Sequence, residues 1–351
     1  MESVRLVTNQ KSLTIVDFTT ATDTTKPQNM THPRATEIYF NLNTGAKIPS
    51  LGLGTVNPPE KMPQTKDAVK HAVKNGYRLI DTAWMYGSEP YIGEALQELF
   101  EEGVVKREDL FITTKVWPCH YNTVEQSLQE SLKQLKLDYV DLLLQHWPLC
   151  FVKQYDEHGE LKSHPVDPKS GDIVLDEKGD YLATWKQLEK VYKDGSGRVR
   201  NIGVSNYPIE YLERLLKETE VVPVLNQVEL HPLLPQEELS EYCNSHGILM
   251  ESFSPLGSSG TPHLEHPLVK ELSKKYGCEP GSVLLNYHVR KGNVVVPRSL
   301  NHGRIIKNAD FVALSKDDLD KLSGLGREKP VRVMDEYFAT SIPGFHGTHH
   351  P

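Results

Sequence analysis

The repeating unit of this chain is seen most clearly in the stretch VRNIGVSNYPIEYLERLLKETEVVPVLNQVEL (Val199–Leu230). An apolar strand-like run is followed there by a segment with apolar residues at helical spacing, and then by a second apolar run. Parallel strands need a long crossover connection, which is usually a helix. The stretch therefore predicts a strand–helix–strand unit of an α/β protein.

The same alternation continues in both directions along the chain. Strand-like runs cover Ser50–Thr55, Arg78–Thr82, Phe111–Val116, Val140–Trp147, Val199–Ser205, Val224–Leu230, Ile248–Leu256 and Val294–Ser299. Helical patterns cover Thr65–Asn75, Thr123–Lys136, Tyr181–Lys193, Ile209–Glu218, Glu237–His246 and Pro280–Arg290, with one extra helix at Pro267–Tyr276. Eight units predict an α/β fold closed as a (β/α)8 TIM barrel rather than an open sheet.

Four segments lie outside this repeat. Glu37–Gly54, with a turn at Asn43-Thr44-Gly45, predicts a β-hairpin before the barrel. Residues 1–33 are predicted to be a mobile extension, with a short strand at Leu13–Phe18 as the alternative, and residues 34–351 to be one barrel domain. Two long stretches without periodicity, Leu149–Asp180 and Arg327–Pro351, are expected to be lids or disordered segments.

Composition excludes several classes of function. The net charge of -8 offers no general attraction to nucleic acid or anionic lipid. No apolar run approaches the roughly 20 residues that span a bilayer, and the N-terminus lacks the pattern of a secretory signal. The four cysteines are scattered, which suggests neither a disulfide framework nor a zinc ribbon. These features predict a cytoplasmic protein of the reducing cytosol without nucleic-acid or membrane partners.

Polar side chains follow the predicted strands at their C-terminal ends, where barrels of this kind build their active sites. Asp81, with Tyr86 in the following loop, Lys115 and His146 belong to three consecutive strand ends. Later strands carry Ser205, Asn206, Asn226, Gln227, Ser254, Arg298 and Ser299. Each residue alone has a structural explanation, as a helix cap, a rim charge or a core histidine. Together they converge on one mouth of the barrel, which favours an active site.

A set of motifs in chain order resembles the aldo-keto reductases. They are GYRLIDTAWMYGSEPYIG (Gly76–Gly93), ITTKVW (Ile112–Trp117), LLLQHWP (Leu142–Pro148), IGVSN (Ile202–Asn206), NQVELHP (Asn226–Pro232), SPLGS (Ser254–Ser258) and VPRSLNHGRI (Val296–Ile305). With the tail PVRVMDEYFA (Pro330–Ala339), the set most resembles the fungal D-arabinose dehydrogenases within that family. The resemblance implies an NADP(H)-dependent oxidoreductase that reduces aldehydes and ketones or oxidises aldoses such as D-arabinose.

The resemblance implies a catalytic tetrad of Asp81, Tyr86, Lys115 and His146. A phenol is a poor acid near neutrality, since its unperturbed pKa is about 10. We expect the Lys115 ammonium to lower the pKa of Tyr86, so that this hydroxyl serves as general acid in reduction and as base in oxidation. Asp81 pairs with Lys115, and His146 orients the substrate oxygen.

The resemblance also implies the ligands of NADPH/NADP+ and the pocket wall. The residues implied to contact the cofactor are Thr55, Asp81, Ser205, Asn206, Gln227, Phe253, Ser254, Leu256, Ser258, Arg298, Ser299, Leu300, Asn301, Arg304 and Asn308. Among these, Ser205, Asn206 and Gln227 would bind the nicotinamide carboxamide, and Arg298 and Arg304 the 2′-phosphate. The substrate, a small carbonyl compound or aldose, would meet Tyr86, His146, Val56, Trp117 and Trp147.

Three departures from the family pattern bear on the substrate. Val56 stands where many relatives have Trp, and Lys307 stands where relatives often have Glu facing the adenine. Leu149–Asp180 is longer than the corresponding loop of the aldose-reductase type. A substrate cannot be carried over from aldose reductase on this basis.

Four alternatives accompany this interpretation. Gly52-Leu53-Gly54 provides only GxG, which is a weak signal for a Rossmann dehydrogenase. His231, His263 and His266 lack the paired ligands on adjacent strand ends that a metal-dependent hydrolase needs, and no metal is predicted. A carbonyl or α-diketone reductase with little sugar activity, and a non-catalytic barrel used for binding, remain open. The chain is expected to be a monomer or a homodimer.

Overall fold

The computed structural model describes residues 34–258, 262–327, 329–334 and 342. Its strands are β1 Tyr39–Asn41, β2 Lys47–Pro49, β3 Gly52–Gly54, β4 Leu79–Asp81, β5 Phe111–Val116, β6 Leu142–Gln145, β7 Ile202–Ser205, β8 Leu225–Glu229, β9 Leu249–Phe253 and β10 Val294–Val295. Its α-helices are α1 Gln64–Lys74, α2 Glu89–Glu101, α3 Val124–Leu135, α4 Tyr181–Lys193, α5 Ile209–Glu218, α6 Glu237–Ser245, α7 Pro267–Tyr276, α8 Pro280–Arg290, α9 His302–Asn308 and α10 Lys316–Arg327.

Strands β3 to β10 form one parallel sheet in which neighbours along the chain are also neighbours in space. Its two edges meet, because Leu51 pairs with Val295 and Gly54 pairs with Arg298, both in parallel. The Gly54 amide donates to the Pro297 carbonyl at 3.0 Å across this seam. The predicted (β/α)8 barrel is confirmed.

The interior of the barrel changes from apolar to polar along its axis. Side chains alternate between the two faces of a strand, so every second residue points inward. On β5, Phe111 belongs to the apolar cluster at the start of the strands, whereas Lys115 lies near its end. On β9 the same order holds for Leu249 and Glu251. Leu42 and Ile48 of the β1–β2 hairpin pack against the apolar layer and close the N-terminal end of the barrel. The polar end is thereby left as the site.

Helix bounds follow local signals in the sequence. Pro267 and Pro280 occupy the first turns of α7 and α8, where the missing N–H costs no helical hydrogen bond. Gly277 ends α7 in the left-handed conformation, with φ of 63°. The predicted extra helix at Pro267–Tyr276 is confirmed. No helix among the described residues is long and apolar enough to cross a membrane.

The loop between β6 and α4 is folded rather than irregular. Its residues form three antiparallel pairs, Phe151 with Leu175, Tyr155 with Leu161, and Val166 with Ile173. The expectation of a disordered segment there is wrong, because these pairs and buried apolar contacts order the loop. The predicted extension 1–33, with its alternative strand Leu13–Phe18, lies outside the described residues, as does most of the C-terminal stretch beyond Met334.

The weak GxG signal has a structural explanation in the barrel itself. Gly52 and Gly54 lie on β3, and a Cβ on Gly54 would approach the Val296 carbonyl oxygen to 2.8 Å. The glycine thus permits the close approach of β3 and β10 at the seam.

We predict that Gly54→Ala destabilises the fold by about 1–3 kcal/mol, because the new methyl group forces the closing strands apart. Gly324→Ala is the control, since Gly324 lies in α10 with open space around it. Alanine there should be neutral or stabilising by up to about 1 kcal/mol. Urea unfolding followed by circular dichroism measures both. Equal stability of Gly54→Ala and the wild type would contradict the seam geometry.

Candidate active site

Lys115 and Asp81 form an ion pair inside the barrel mouth. The ammonium is fully buried and donates to Asp81 Oδ1 at 2.7 Å, to the Thr82 carbonyl at 2.8 Å and to Tyr86 Oη at 3.2 Å. An ammonium has three donors, and each has a partner here. Burial is the largest single effect and opposes the charged form, but the combined effects of Asp81, Tyr86 and Glu251 outweigh it, so the pKa of Lys115 is raised. Lys115 is therefore a fixed cation next to a phenol.

Tyr86 and His146 face each other across the mouth, with ring centroids 5.5 Å apart. Tyr86 lies on the short turn after β4, and His146 directly follows β6. The pKa of His146 is well below its usual value, because burial and the Lys115 charge both oppose an imidazolium. A neutral imidazole donates one hydrogen bond. The predicted tetrad therefore lies together at one site.

The expected direction of the Tyr86 pKa shift is wrong. Burial of the hydroxyl raises its pKa, and although the Lys115 charge works in the opposite direction, it does not offset burial. The charge of Asp81, which neutralises that of Lys115, raises the pKa further. The Lys115 charge has the expected sign, since it favours the phenolate, but burial decides the net direction of the shift.

The residues predicted to bind a carboxamide surround Asn206. Ser205 Oγ donates to the Gln227 carbonyl at 2.8 Å, and Asn206 Nδ2 donates to the His146 carbonyl at 3.0 Å and to Ser205 Oγ at 3.1 Å. Among the described residues, no donor reaches Asn206 Oδ1, although this oxygen is buried. A buried acceptor without a donor costs free energy, so the site suits a ligand that brings an N–H group.

The sequence analysis did not identify two buried glutamates in this region, Glu229 and Glu251. Gln227 Nε2 donates to Asp81 Oδ2 at 2.8 Å and also to Glu251 Oε1, which lies opposite Gln227 on the neighbouring strand. The amide nitrogen of Gln227 is therefore used within the protein, and only its oxygen is left for a ligand. Polar residues at alternate positions near strand ends were the available signal for Glu251 and Glu229.

Strained backbone is concentrated at the same rim. Asn206, Ser254 and Ser258 all adopt the left-handed conformation, with φ of 64°, 49° and 59°. Such conformations are uncommon outside glycine and cluster at functional sites. Thr55 Oγ1 donates to the Asp81 carbonyl at 2.8 Å at the adjoining strand end, and Ser258 Oγ contacts the Met334 sulfur at 3.4 Å.

The segment after β10 presents an exposed basic corner. Asn301 caps α9, since its Oδ1 accepts from the Arg304 amide at 2.9 Å. Arg298 donates to the Val56 carbonyl at 3.2 Å, and Arg304 is exposed on the first turn of α9. Of the other predicted cofactor residues here and on β9, Ser299, Phe253, Leu256 and Leu300 are partly buried or exposed, and Asn308 is buried at the end of α9.

The residues predicted to contact the substrate differ in how far they are exposed. Val56 is 43% exposed at the rim, but Trp117 is only 1% exposed and Trp147 is buried too. Trp117 Nε1 donates to the Ser163 carbonyl of the β6–α4 loop at 2.6 Å, and Ile342 joins the same apolar cluster. The loop and Ile342 therefore pack against these tryptophans.

Glu229 ties the C-terminal segment to the barrel. It is fully buried and accepts from the Val333 amide at 2.7 Å, the Met334 amide at 3.0 Å and His231 Nε2 at 2.9 Å. Burial disfavours its charge, but these hydrogen bonds, together with nearby positive charge that includes Arg332 at 3.7 Å, outweigh burial and lower the pKa of Glu229. His231 and His263, considered above as metal ligands, instead pack against each other with ring centroids 4.3 Å apart.

Comparison with known proteins gives concordant matches. The profile of the aldo/keto reductase family matches residues 50–327. The chain is 40% identical to glycerol 2-dehydrogenase (NADP(+)) of Saccharomyces cerevisiae, with 83% of this chain and 91% of the relative covered. It is 42% identical to D-galacturonate reductase of Hypocrea jecorina, covering 81% and 89%. The crystal structure of a Bombyx mori aldo-keto reductase in complex with NADP superposes with a TM-score of 0.76 at 31% identity, covering 90% and 99%.

We predict that Glu229→Gln loosens the C-terminal segment and destabilises the protein by about 1–3 kcal/mol, because an amide offers only one acceptor to three donors. The control is Glu238→Gln at an exposed position on α6. Since the pKa of Glu229 is lowered, its contribution is present above the unfolded-state value of about 4.3 and declines as the pH falls below it. Urea unfolding at pH 7 and pH 4 measures this. A difference that grows on acidification would contradict the assignment.

Proposed function

Because the chain belongs to the aldo/keto reductase family, we propose that it is an NADP(H)-dependent oxidoreductase that interconverts carbonyl compounds and alcohols. The observation that carries this proposal is the buried Asp81–Lys115 pair, which holds Tyr86 opposite a neutral His146 at the barrel mouth. Few binding functions require a buried ammonium next to a phenol. The pair therefore favours catalysis over a non-catalytic barrel used for binding.

The chain's own residues fit a nicotinamide cofactor. Buried Asn206 Oδ1, which no described residue satisfies, would accept from the carboxamide NH2 group, and Gln227 Oε1 would be a second acceptor. We propose that Phe253 provides an aromatic face for the nicotinamide ring and that Thr55, Ser254, Leu256 and Ser258 line the path of the cofactor. When bound, the cofactor supplies the hydride that reaches the carbonyl carbon.

The proton side of the reaction is assigned to Tyr86. A phenol is protonated at neutral pH, and the raised pKa of Tyr86 keeps it so; the hydroxyl donates that proton to the carbonyl oxygen. The phenolate that remains is stabilised by the Lys115 ammonium 3.2 Å away. His146 donates a hydrogen bond to the same oxygen and orients the carbonyl. In oxidation Tyr86 accepts the proton of the alcohol.

We propose a polyhydroxylated substrate, an aldose such as D-arabinose or a related sugar derivative. Two relatives are named for glycerol and D-galacturonate, which are both polyhydroxylated. Val56 leaves the rim open where a large aromatic side chain would narrow it, which suits a hydrated substrate. A carbonyl or α-diketone reductase with little sugar activity is the second candidate, and kinetics with both substrate classes separate the two.

The cellular setting proposed here is the cytosol. All four cysteines are free, and Cys119, Cys150 and Cys243 are buried. Free cysteines suit a reducing compartment. We further propose that residues 34–351 act as one domain, as a monomer or homodimer, with residues 1–33 as an extension.

We predict that Tyr86→Phe lowers kcat for carbonyl reduction by about 10²–10⁴-fold, because only the proton donor is lost. NADPH affinity should be unchanged. Tyr39→Phe is the control, since Tyr39 is an exposed tyrosine on β1 at the other end of the barrel. Steady-state kinetics and fluorescence titration give the two values. A variant that keeps more than a tenth of the wild-type kcat would contradict the role of Tyr86.

A second prediction concerns cofactor choice. Arg298 and Arg304 present guanidinium groups suited to the 2′-phosphate of NADP(H), with Ser299 and Asn301 as neutral neighbours. Arg304→Ala should weaken NADPH binding about tenfold to a hundredfold and leave NADH binding nearly unchanged. Lys316→Ala, which removes an exposed cation at the start of α10, is the control. Equal losses for both cofactors would show that the 2′-phosphate binds elsewhere.

A further inference from the structure

Glu251 is joined to the tetrad through the side chain of Gln227. The two residues lie opposite each other on β9 and β8, and Gln227 Nε2 donates to Glu251 Oε1 and to Asp81 Oδ2. Asp81 in turn pairs with Lys115, which donates to Tyr86. A continuous hydrogen-bonded path therefore leads from Glu251 across the barrel to the phenol.

Glu251 and Asp81 are two buried carboxyl groups near a single ammonium, that of Lys115. Glu251 is fully buried, and no described residue donates to its Oε2. Lys115 contacts Asp81 directly at 2.7 Å, so the carboxylate of Asp81 is the better stabilised of the two. Burial and the charge of Asp81 raise the pKa of Glu251 to about 8, against the smaller opposing effect of Lys115. Of these two carboxyl groups, Glu251 is therefore the one that stays protonated.

We propose that Glu251 is a positioning residue of this site: it fixes the Gln227 amide against Asp81, and it adds a titratable carboxyl group beside the Asp81–Lys115 pair. This inference rests on the proposed function. Glu251 touches none of the reacting atoms, and it acts through Gln227 and through its charge.

The negative charge of ionised Glu251 raises the pKa of the Tyr86 phenol. The charged or titratable groups that face Glu251 are Asp81 from β4, Lys115 from β5 and Tyr86 beyond them, whereas β10 presents the uncharged Val294 beside it. Loss of the Glu251 proton adds a negative charge, which raises the pKa of both Tyr86 and Lys115. At alkaline pH the ionised Glu251 thus favours the protonated form of Tyr86, which reduction needs. It also shifts formation of the phenolate, which oxidation needs, to higher pH.

Two substitutions separate the hydrogen bond from the charge. Glu251→Gln keeps an acceptor for Gln227 but cannot ionise, whereas Glu251→Met fills similar space and offers no acceptor of comparable strength. In Glu251→Gln, the rise of kcat/KM for alcohol oxidation with NADP+ should occur at a pH about one unit lower than in the wild type. NADPH affinity should be unchanged. In Glu251→Met, the loosened Gln227 should also weaken NADPH binding by about fivefold to tenfold.

A readout without turnover tests the titration itself. Infrared difference spectra of the cofactor-free protein should show a buried carboxylic acid that loses its proton with a midpoint of about pH 8. This signal should vanish in Glu251→Gln. Glu89, which is buried on α2 and accepts from Thr114 Oγ1 at 2.6 Å, has its pKa raised by burial to about 7. The Glu89→Gln variant identifies that second signal.

The outcomes discriminate clearly. A wild-type infrared titration and a wild-type oxidation profile in Glu251→Gln would overturn the proposal, even if Glu251→Met fails to fold. Unchanged NADPH affinity in a folded Glu251→Met would overturn its positioning part. If the wild type turned over no carbonyl compound, the proposed function would fail, while the infrared titration and the NADPH affinities would still decide the role of Glu251.

Discussion

The charge of Lys115 inside the barrel is the constraint on which the rest of the site depends. Removing an ammonium from water costs several kcal/mol unless a partner and full hydrogen bonding compensate. Asp81 provides the opposite charge, while the Thr82 carbonyl and Tyr86 hydroxyl take the two remaining donors. The phenol is thus held by the same contacts that stabilise the ammonium. The hydrogen bonds that stabilise the buried ammonium therefore also fix the position of the phenol.

The barrel architecture makes that arrangement possible. Apolar side chains fill its N-terminal half, and the β1–β2 hairpin packs against that end, so the charged layer lies towards the opposite mouth. Parallel strands place their C-terminal ends on one rim. Residues far apart in the chain, such as Asp81 and Gln227, therefore come within 2.8 Å of each other. The same low-polarity surroundings explain why His146 is neutral and why Glu251 retains a proton.

Two segments outside the repeat are attached to the barrel next to this layer. The β6–α4 loop binds Trp117 through the Ser163 carbonyl, and Glu229 holds the backbone of Val333 and Met334. Both attachments use buried polar groups, whose loss would leave donors or acceptors unsatisfied. These attachments are separate from the Asp81–Lys115 ion pair, which is carried by the barrel strands.

The sequence by itself determined the repeat and the barrel, and it placed three of the four residues of the proposed tetrad at strand ends. Hydrophobic periodicity is local, and the position of Asp81, Lys115 and His146 at strand ends can be read without coordinates because parallel strands share one rim. Tertiary structure alone decided the pKa of Tyr86, which depends on burial and on two opposing charges at short range. It also decided the partners of Glu251 and Glu229. Both look like ordinary polar residues of a strand in the sequence, and their role arises only when barrel closure brings distant side chains into contact.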